Sequence, residues 1–279
     1  MSSQIFAPGL LEGQVVVVSG AGAGLGRATA IELAALGAKV VICGRRLEPL
    51  EETVGLSEEG SCEAVQCDIR EPGQVAALVD GALERHGRID TLVNNAGGQF
   101  LTPAEDITTK GFDTVVGLNV GGTWRMTHAV ATKAMIPAGG GKVVNVTLSP
   151  HHGLPGMAHS AASRAAVENL TRGLAIEWAR FGIRLVAIAS GHFETETLKT
   201  KYPQAVVDGV AASVPLGRLG RPEEQAWMIA YLASPAGDYH SGSIITIDGA
   251  RDNWAGKWPP VGLTDDAGKP VAEERKQKD

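Results

Sequence analysis

The fold is decided by the stretch from Val15 to Arg27, which reads VVVVSGAGAGLGR. Its four successive β-branched residues predict a strand covered on both faces, as in a parallel sheet that lies between two layers of helices. The glycines that follow allow positive φ angles and let the backbone approach a ligand closely. They are Gly20, Gly22, Gly24 and Gly26. The stretch therefore predicts a buried strand that turns sharply into a helix.

The residues from Leu25 to Leu36, LGRATAIELAAL, predict the helix that follows this turn. The first N–H groups of a helix have no partner inside the helix, and they attract an anion. Together with the glycines, this helix start favours the binding of a pyrophosphate, such as that of a dinucleotide. A tight strand-to-helix turn without a ligand is the alternative at this point.

Composition narrows the class of protein. The chain has 279 residues, of which 44% are hydrophobic, and this suffices for one large α/β domain. It has neither a run of about 18 apolar residues nor a signal peptide, which predicts a soluble, cytoplasmic protein without a membrane partner. A net charge of -6 without a basic stripe argues against nucleic acid. The three cysteines lack metal-ligand spacing, so we expect no metal and reduced, structural thiols at Cys43, Cys62 and Cys67.

Strands alternate with helices along the rest of the chain, and right-handed crossovers place such strands in one parallel sheet. No internal repeat or low-complexity segment divides the chain. We predict a single doubly wound α/β domain, a Rossmann fold with a seven-stranded parallel sheet, over residues 1–264. A charged, disordered tail is predicted over residues 265–279. The further predicted strands are Ala38–Cys43, Glu63–Cys67, Ile89–Val93, Gly141–Thr147, Ile183–Ala189 and Ser243–Ile247, and the further predicted helices are Leu47–Thr53, Val75–Glu84 and His159–Phe181.

The second predicted strand ends in Gly44-Arg45-Arg46, where a dinucleotide fold faces the adenosine ribose. An acidic residue there selects the free 2′-OH of NAD, whereas an arginine accommodates the 2′-phosphate of NADP. The acidic residue is missing, so Arg45 and Arg46 predict NADP(H). A charge-assisted contact of this kind is worth about 1.5 to 3 kcal/mol. The alternative is a solvated start of the next helix.

The glycine turn, Asp68 and Asn94-Asn95-Ala96-Gly97 match in order and spacing the cofactor motifs of the short-chain dehydrogenase/reductase family. The chain resembles this family from about Leu11 to Gly249. The resemblance implies that Asp68, with Ile69 beside it, meets the adenine. It also implies that Asn95 ties the fourth strand to its neighbours and that the backbone of Ala96 and Gly97 lies along the cofactor.

The same resemblance extends to two residues further along the chain, and two longer segments carry predictions of their own. Asn119 stands where the family keeps an asparagine that holds a water in a proton relay, and a purely structural hydrogen bond is the alternative. Thr195 matches a threonine that contacts the nicotinamide amide, although Ser190-Gly191 replaces the usual Pro-Gly before it. The helix over His159–Phe181 has small residues on one face and large apolar residues on another, the spacing of a helix that packs on both sides. Such a helix often pairs with its copy in another subunit, which predicts a homotetramer. The segment Ser190–Val214 is expected to close over a small-molecule substrate.

The family's usual acid is missing from this chain. Members that oxidise alcohols or reduce ketones carry a tyrosine, three residues and a lysine at the start of this helix, and a serine about thirteen residues earlier. Here Ser160 takes the tyrosine position and Arg164 the lysine position. The serine position falls on Thr147 by counting back, or on Leu148 by aligning the strand, and Ser149 is the next hydroxyl. We take Thr147, Ser149, Ser160, Arg164, Asn119 and His159 as candidate catalytic residues, and Arg164 also as a cofactor-binding residue.

These replacements favour some reactions over others. The loss of a positioned general acid costs about 10²- to 10⁴-fold in rate. Reduction of a ketone should be slowed by this full factor, because the alkoxide that forms needs a proton at once. Reduction of a C=C bond conjugated to a carbonyl or thioester should be slowed less, because Arg164 stabilises an enolate that is protonated afterwards. The sequence thus favours an enoyl-type reduction.

A finer resemblance agrees with this reading. Residues 155–171, PGMAHSAASRAAVENLT, are similar to the branch that contains peroxisomal trans-2-enoyl-CoA reductase and, more distantly, 2,4-dienoyl-CoA reductase. Where those enzymes place another tyrosine near the site, this chain has Ser149 and Glu168. Residues 95–100, NAGGQF, resemble bacterial citronellol/citronellal dehydrogenases.

Two other functions remain open at this stage. One is an alcohol or aldehyde dehydrogenase of the citronellol type that uses Ser160, His159 or Tyr202 as its acid. The other is a catalytically silent NADP-binding partner in an oligomer. His159 is alternatively a packed or helix-capping residue, and His151 and His152 are expected to form a solvated pair in the loop after the fifth strand.

Overall fold

Seven parallel strands form one sheet in the order β3-β2-β1-β4-β5-β6-β7 in the computed structural model, which describes residues 3–149, 151–201 and 204–254. The predicted seven-stranded doubly wound fold is confirmed. The observed strands agree with the predicted ones to within two residues at either end. They are β1 Val15–Ser19, β2 Lys39–Gly44, β3 Cys62–Gln66, β4 Thr91–Asn94, β5 Gly141–Leu148, β6 Ile183–Ser190 and β7 Ile244–Ile247.

The strand order reverses between β1 and β4, because β2 and β3 lie to one side of β1 and β4 to β7 lie to the other. Ligands of such sheets bind at the carboxyl ends of the strands beside this point. The helices that connect the strands are α1 Gly24–Ala35, α2 Glu48–Leu56, α3 Pro72–His86, α4 Thr109–Val116, α5 Thr123–Val130, α6 Ile136–Ala138, α7 Ala158–Trp178, α8 Glu196–Lys201, α9 Gln204–Ala212 and α10 Pro222–Ala233.

The four valines of β1 are buried on both faces of the sheet, as the sequence predicts. Val15 and Val17 pack in one core with α3, α5 and α7, whereas Val16 and Val18 pack in a second core with α1 and α10. Side chains of a strand alternate between faces, so one run of valines anchors both helix layers. This burial fixes where β1 ends, and hence where the glycine turn begins.

One long helical segment bridges β4 and β5. It runs from α4 through a π-helical turn at Gly117–Gly122, α5 and a second π-helical turn at Ala131–Met135 into α6. Asn119 lies in the first π-helical turn. Such turns occur often at functional sites.

The structure bears on some of the remaining predictions and not on others. Cys43, Cys62 and Cys67 are buried and free, as expected. The predicted closing segment Ser190–Val214 contains α8 and α9. Tyr202 and the predicted tail at 265–279 lie outside the described residues, so the domain limit at residue 264 stays a prediction. No helix among the described residues has the length and apolar character needed to cross a bilayer.

Candidate active site

The glycine turn after β1 is packed too closely for side chains. A Cβ atom on Gly20, where φ is +72°, would lie 2.8 Å from the Cα atom of Ala96. A Cβ atom on Gly26 would lie 2.3 Å from the Gly20 carbonyl oxygen and 2.4 Å from Nδ2 of Asn95. Asn95 donates to the carbonyl oxygens of Ser19 and Gly20 at 3.2 and 3.1 Å. The turn is therefore a backbone cradle fixed to the end of β4.

The start of α1 suits an anion. Its N-cap, Ala23, offers no side-chain hydrogen bond, and no acidic residue lies in the first turn. The N–H groups there have no capping side chain, and the helix dipole adds positive potential. The cradle and this helix start fit the pyrophosphate of a dinucleotide. Thr195 packs against Gly24, and a Cβ atom there would lie 3.3 Å from Cγ2 of Thr195.

Arg45 and Arg46 line a cavity of about 450 Å³ together with Gly20, Gly22 and Gly44. Both arginines are exposed, and among the described residues neither guanidinium belongs to an ion pair. Two unpaired cations beside the glycine turn suit the 2′-phosphate of NADP.

The expected adenine side of the site is a neighbouring cavity of about 260 Å³. Asp68 lines it, and its carboxylate accepts from Nε of Arg70 at 3.0 and 3.1 Å. These hydrogen bonds from Arg70 lower the pKa of Asp68. The carboxylate already has a partner, so its role toward adenine stays a prediction. The other lining residues of the predicted site are Ile69, Asn95, Ala96 and Gly97.

Arg164 lies between α7 and the carboxyl ends of β4 and β5. Nη1 donates to the carbonyl oxygen of Val146 at 2.9 Å, and Nε has no partner among the described residues. A Cβ atom on Gly97 would lie 2.3 Å from Nη2 of Arg164, so only glycine fits there. Desolvation lowers the pKa of Arg164 to about 10, and the group remains a cation at neutral pH. In the described chain no carboxylate forms an ion pair with it.

Ser160 and His159 are fully buried at the start of α7. The Ser160 hydroxyl donates to Oε1 of Gln99 at 2.9 Å. The His159 ring packs against Phe100 with 4.2 Å between centroids, and neither ring nitrogen has a partner among the residues described. These contacts agree with the alternative that His159 is a packed residue.

Asn119 forms structural hydrogen bonds. Its Oδ1 accepts from the Gly98 N–H at 2.9 Å, and its Nδ2 donates to the Gly98 carbonyl at 3.1 Å and to Oγ of Ser163 at 2.8 Å. The amide thus holds the segment after β4 against α7. These contacts agree with the structural alternative, and the water-holding role stays a prediction.

The hydroxyls at the end of β5 differ in their surroundings. Thr147 is buried and donates to Oε1 of Glu168 at 2.9 Å. Ser149 is buried, and its Oγ has no partner in the described part of the chain. Leu148, the position given by aligning the strand, is half-buried and has no hydroxyl.

Sequence reasoning missed a cluster next to Thr147. Glu168 also contacts Nε2 of His151 at 3.1 Å, and Nδ1 of His151 contacts Asp252. His151 is exposed, as the predicted solvated pair requires, but the two carboxylates that contact its ring were not anticipated. His152 is 77% exposed and fits the prediction. The sequence signal for this cluster was limited to Glu168, which follows Arg164 by four residues and therefore lies on the same helix face.

Tyrosine is absent from this constellation within the described residues. The hydroxyl of Tyr231 contacts His240 at 3.3 Å, and Tyr239 is fully exposed. His240 precedes β7, so this pair lies at the amino ends of the strands, away from the glycine turn.

Known proteins place the chain in a family. A family model described as Enoyl-(Acyl carrier protein) reductase matches residues 20–250. This chain belongs to the short-chain dehydrogenase/reductase family, and it is an oxidoreductase.

Three relatives illustrate the range of the match. A probable 2,4-dienoyl-CoA reductase from Bacillus subtilis is 36% identical over 255 residues, which cover 89% of this chain and 100% of the relative. The structure of a citronellol catabolism dehydrogenase from Pseudomonas aeruginosa is 42% identical, covers 89% of this chain and 98% of its own, and has a TM-score of 0.79. A Brucella melitensis 3-ketoacyl-(acyl-carrier-protein) reductase complexed with NADH is 34% identical, covers 87% and 99%, and has a TM-score of 0.81. A nicotinamide cofactor is thus known in this family, whereas NADP, the cytoplasm and the homotetramer stay predictions for this chain.

Proposed function

We propose that the protein uses NADP(H) to reduce a C=C bond conjugated to a carbonyl or thioester, as in a 2-enoyl-CoA or a 2,4-dienoyl-CoA. The observation that carries the proposal is a desolvated cation, Arg164, with no phenolic acid beside it among the residues that the structure describes. Arg164 is available to stabilise negative charge, while the position of the usual tyrosine holds Ser160.

The cofactor would be held by the parts of the chain that suit it. The glycine cradle and the start of α1 would bind the pyrophosphate, and Arg45 and Arg46 the 2′-phosphate. Gly97 and Arg164 would border the nicotinamide end. When bound, reduced NADP supplies a hydride.

Arg164 would act on the charge that develops in the substrate. Hydride addition at the β-carbon of a 2-enoyl thioester, or at the δ-carbon of a 2,4-dienoyl thioester, moves negative charge onto the carbonyl oxygen, and a fixed cation in a desolvated site stabilises that charge strongly. Because the α-carbon of the first substrate, or the γ-carbon of the second, is protonated afterwards, the proton need not arrive with the hydride. The Ser160 hydroxyl is a poor acid and already donates to Gln99.

The relatives support this choice. The name of the Bacillus relative specifies a product, (2E)-enoyl-CoA, that forms when one double bond of a conjugated dienoyl thioester is reduced. Dienoyl-CoA reductases recur among the relatives, including peroxisomal ones that are 33% and 34% identical.

The proposal is tested with the purified protein, NADPH and three acceptors: a trans-2-enoyl-CoA, a trans-2,trans-4-dienoyl-CoA and citronellal. We expect loss of NADPH absorbance with the thioesters, and mass spectrometry should show products that are heavier by two hydrogens. Turnover of citronellal alone, or of no acceptor, would reject the proposal.

The second candidate is an alcohol or aldehyde dehydrogenase of the citronellol type. The 42% identity to the citronellol catabolism dehydrogenase favours it. It requires a prompt proton donor, and it predicts oxidation of citronellol with NADP as well as reduction of citronellal. Tight NADPH binding without turnover of any acceptor would instead favour the silent partner.

A further inference from the structure

Three segments of the chain bring titratable side chains together at the end of β5. Glu168 of α7 accepts from Oγ1 of Thr147 at 2.9 Å and contacts Nε2 of His151 at 3.1 Å through the same oxygen, Oε1. Asp252, beyond β7, contacts Nδ1 of His151 and accepts from its backbone N–H at 2.8 Å. The result is a continuous chain of polar contacts, Asp252–His151–Glu168–Thr147.

This chain of contacts runs from solvent to the interior. The His151 side chain is 32% exposed, whereas Glu168 is 5% and Thr147 is 1% exposed. A carboxylate as buried as Glu168 is rare unless it is paired, because burial disfavours its charge. Here its partners are one hydroxyl and one imidazole, and both can exchange protons.

The inner end of the cluster lies beside Arg164. Glu168 is one helical turn beyond Arg164 on α7, and Thr147 follows Val146, whose carbonyl accepts from Arg164. The inner end of the cluster therefore adjoins Arg164, the cation to which the proposed function assigns the developing negative charge.

We propose that His151 and Glu168 relay a proton from solvent to Thr147, and that Thr147 passes it to the substrate beside Arg164 to complete the reduction. Asp252 positions His151. This inference rests on the proposed function. It assigns a role to residues that the family's usual tyrosine would make unnecessary.

The proton balance closes within these groups. Burial lowers the pKa of His151, but the carboxylates of Asp252 and Glu168 at its two ring nitrogens outweigh this effect and raise the pKa above its usual value; the relay starts from the imidazolium form. The proton on Nε2 moves to Glu168, the protonated Glu168 donates to Oγ1 of Thr147, and Thr147 releases its own proton toward the substrate. His151 then regains one proton from water.

Several charged groups surround His151 and bear on its raised pKa. Glu168 faces the ring from α7, and Asp252 faces it from the segment after β7. Asp248 accepts from the Asp252 N–H at 2.7 Å, and His152 contacts Asp252 at 3.4 Å. The cations near the cluster are Arg164 and Arg172, each one helical turn from Glu168 on α7, and Arg251, which adjoins Asp252 in the chain. Activity should therefore fall as the pH rises through the raised pKa of His151.

The test compares Glu168→Gln, His151→Asn, Thr147→Val and Thr147→Ser with the wild type, using trans-2-enoyl-CoA and NADPH. His152→Asn is the matched control, because His152 adjoins His151 and contacts Asp252 but not Glu168. We expect Glu168→Gln and Thr147→Val to lower kcat about 10²-fold with KM and NADPH affinity unchanged. Thr147→Ser should retain activity, and His151→Asn should lose the alkaline limb of the kcat profile.

A second readout does not depend on turnover. NMR titration of the His151 ring should give a pKa above that of a free histidine in the wild type and a lower pKa in Glu168→Gln. Wild-type kcat and pH profile in Glu168→Gln and Thr147→Val would overturn the relay. A loss of stability with an unchanged profile would also overturn it, because the cluster would then only hold the loop. An inactive wild type would reject the proposed function itself.

Discussion

The two ends of the site are built on different principles. The end at β1 and α1 is formed by backbone groups, because Gly20 and Gly26 leave no room for a Cβ atom and no side chain caps the N–H groups at the start of α1. The end at β5 and α7 is formed by side chains from separate segments. Thr147, Glu168 and His151 meet there, and none of them is the tyrosine of the family pattern.

The two ends should tolerate substitutions to different degrees. A backbone cradle depends on having no side chains, so nearly any substitution destroys it. A group of side chains can lose one residue and use another in its place, provided that a cation near the substrate and a source of protons remain. Breaking each end in turn should therefore give different kinds of defect.

The largest effect is expected from Gly26→Ala. The added Cβ atom would lie 2.3 Å from the Gly20 carbonyl, which forces the cradle open and costs about 1 to 3 kcal/mol of stability. Losing two N–H contacts to phosphate, each worth about 1.5 to 3 kcal/mol, should weaken NADPH binding about 10²- to 10⁴-fold. Fluorescence titration measures the affinity. Gly55→Ala is the control, since nothing lies within 4 Å of its Cβ position.

Arg164→Ala should impair the end of the site at β5 and α7 and leave the glycine cradle intact. We expect kcat to fall about 10²- to 10³-fold, because the substrate loses its fixed cation. Arg164→Lys, which restores the family residue, should stay within about tenfold of the wild type. The measurement is steady-state kcat of each variant with the thioester that the wild type reduces. Near-normal activity in Arg164→Ala would remove the stabilising role of this residue.

The cradle end was the more predictable one for a physical reason. Its interactions are local, and the spacing of four glycines after four valines specifies a strand, a turn and a helix together. The same holds for Arg45 and Arg46, which directly follow β2. The His151–Glu168 contact could not be predicted in this way, because it depends on how the loop after β5 and the segment after β7 fold onto α7. The alignment of Ser160 with the tyrosine position stays a prediction, and its partner Gln99 could not be predicted locally, because it lies 61 residues away in the chain.

A double variant, Arg45→Ala with Arg46→Ala, tests the choice of cofactor within the cradle. Loss of a charge-assisted contact to the 2′-phosphate should weaken NADPH binding about 10- to 100-fold. NADH binding should change little, since NADH has no such phosphate. Isothermal titration with both cofactors measures the difference, with Arg172→Ala, an exposed residue of α7, as the control. Equal losses for NADPH and NADH would contradict the assignment.

Ser160→Ala asks whether the residue at the tyrosine position carries the reaction. Its hydroxyl donates to Gln99, so the substitution removes one neutral hydrogen bond, worth about 0.5 to 1.5 kcal/mol. We expect kcat within about tenfold of the wild type, far from the loss in Arg164→Ala. A loss of about 10³-fold would identify Ser160 as the proton donor.

The smallest effect concerns stability at the β5 end. The pKa of His151 is raised in the folded protein, so its ion pairs stabilise the fold fully below the pKa of about 6.5 that histidine has when unfolded. That stabilisation disappears as the pH rises through the folded pKa. The ring is one-third exposed, so the contribution should be about 1 kcal/mol or less. Urea unfolding of wild type and His151→Asn should differ at pH 6 and converge at pH 9, and a gap that widens with pH would show that the carboxylates do not hold a charged imidazole.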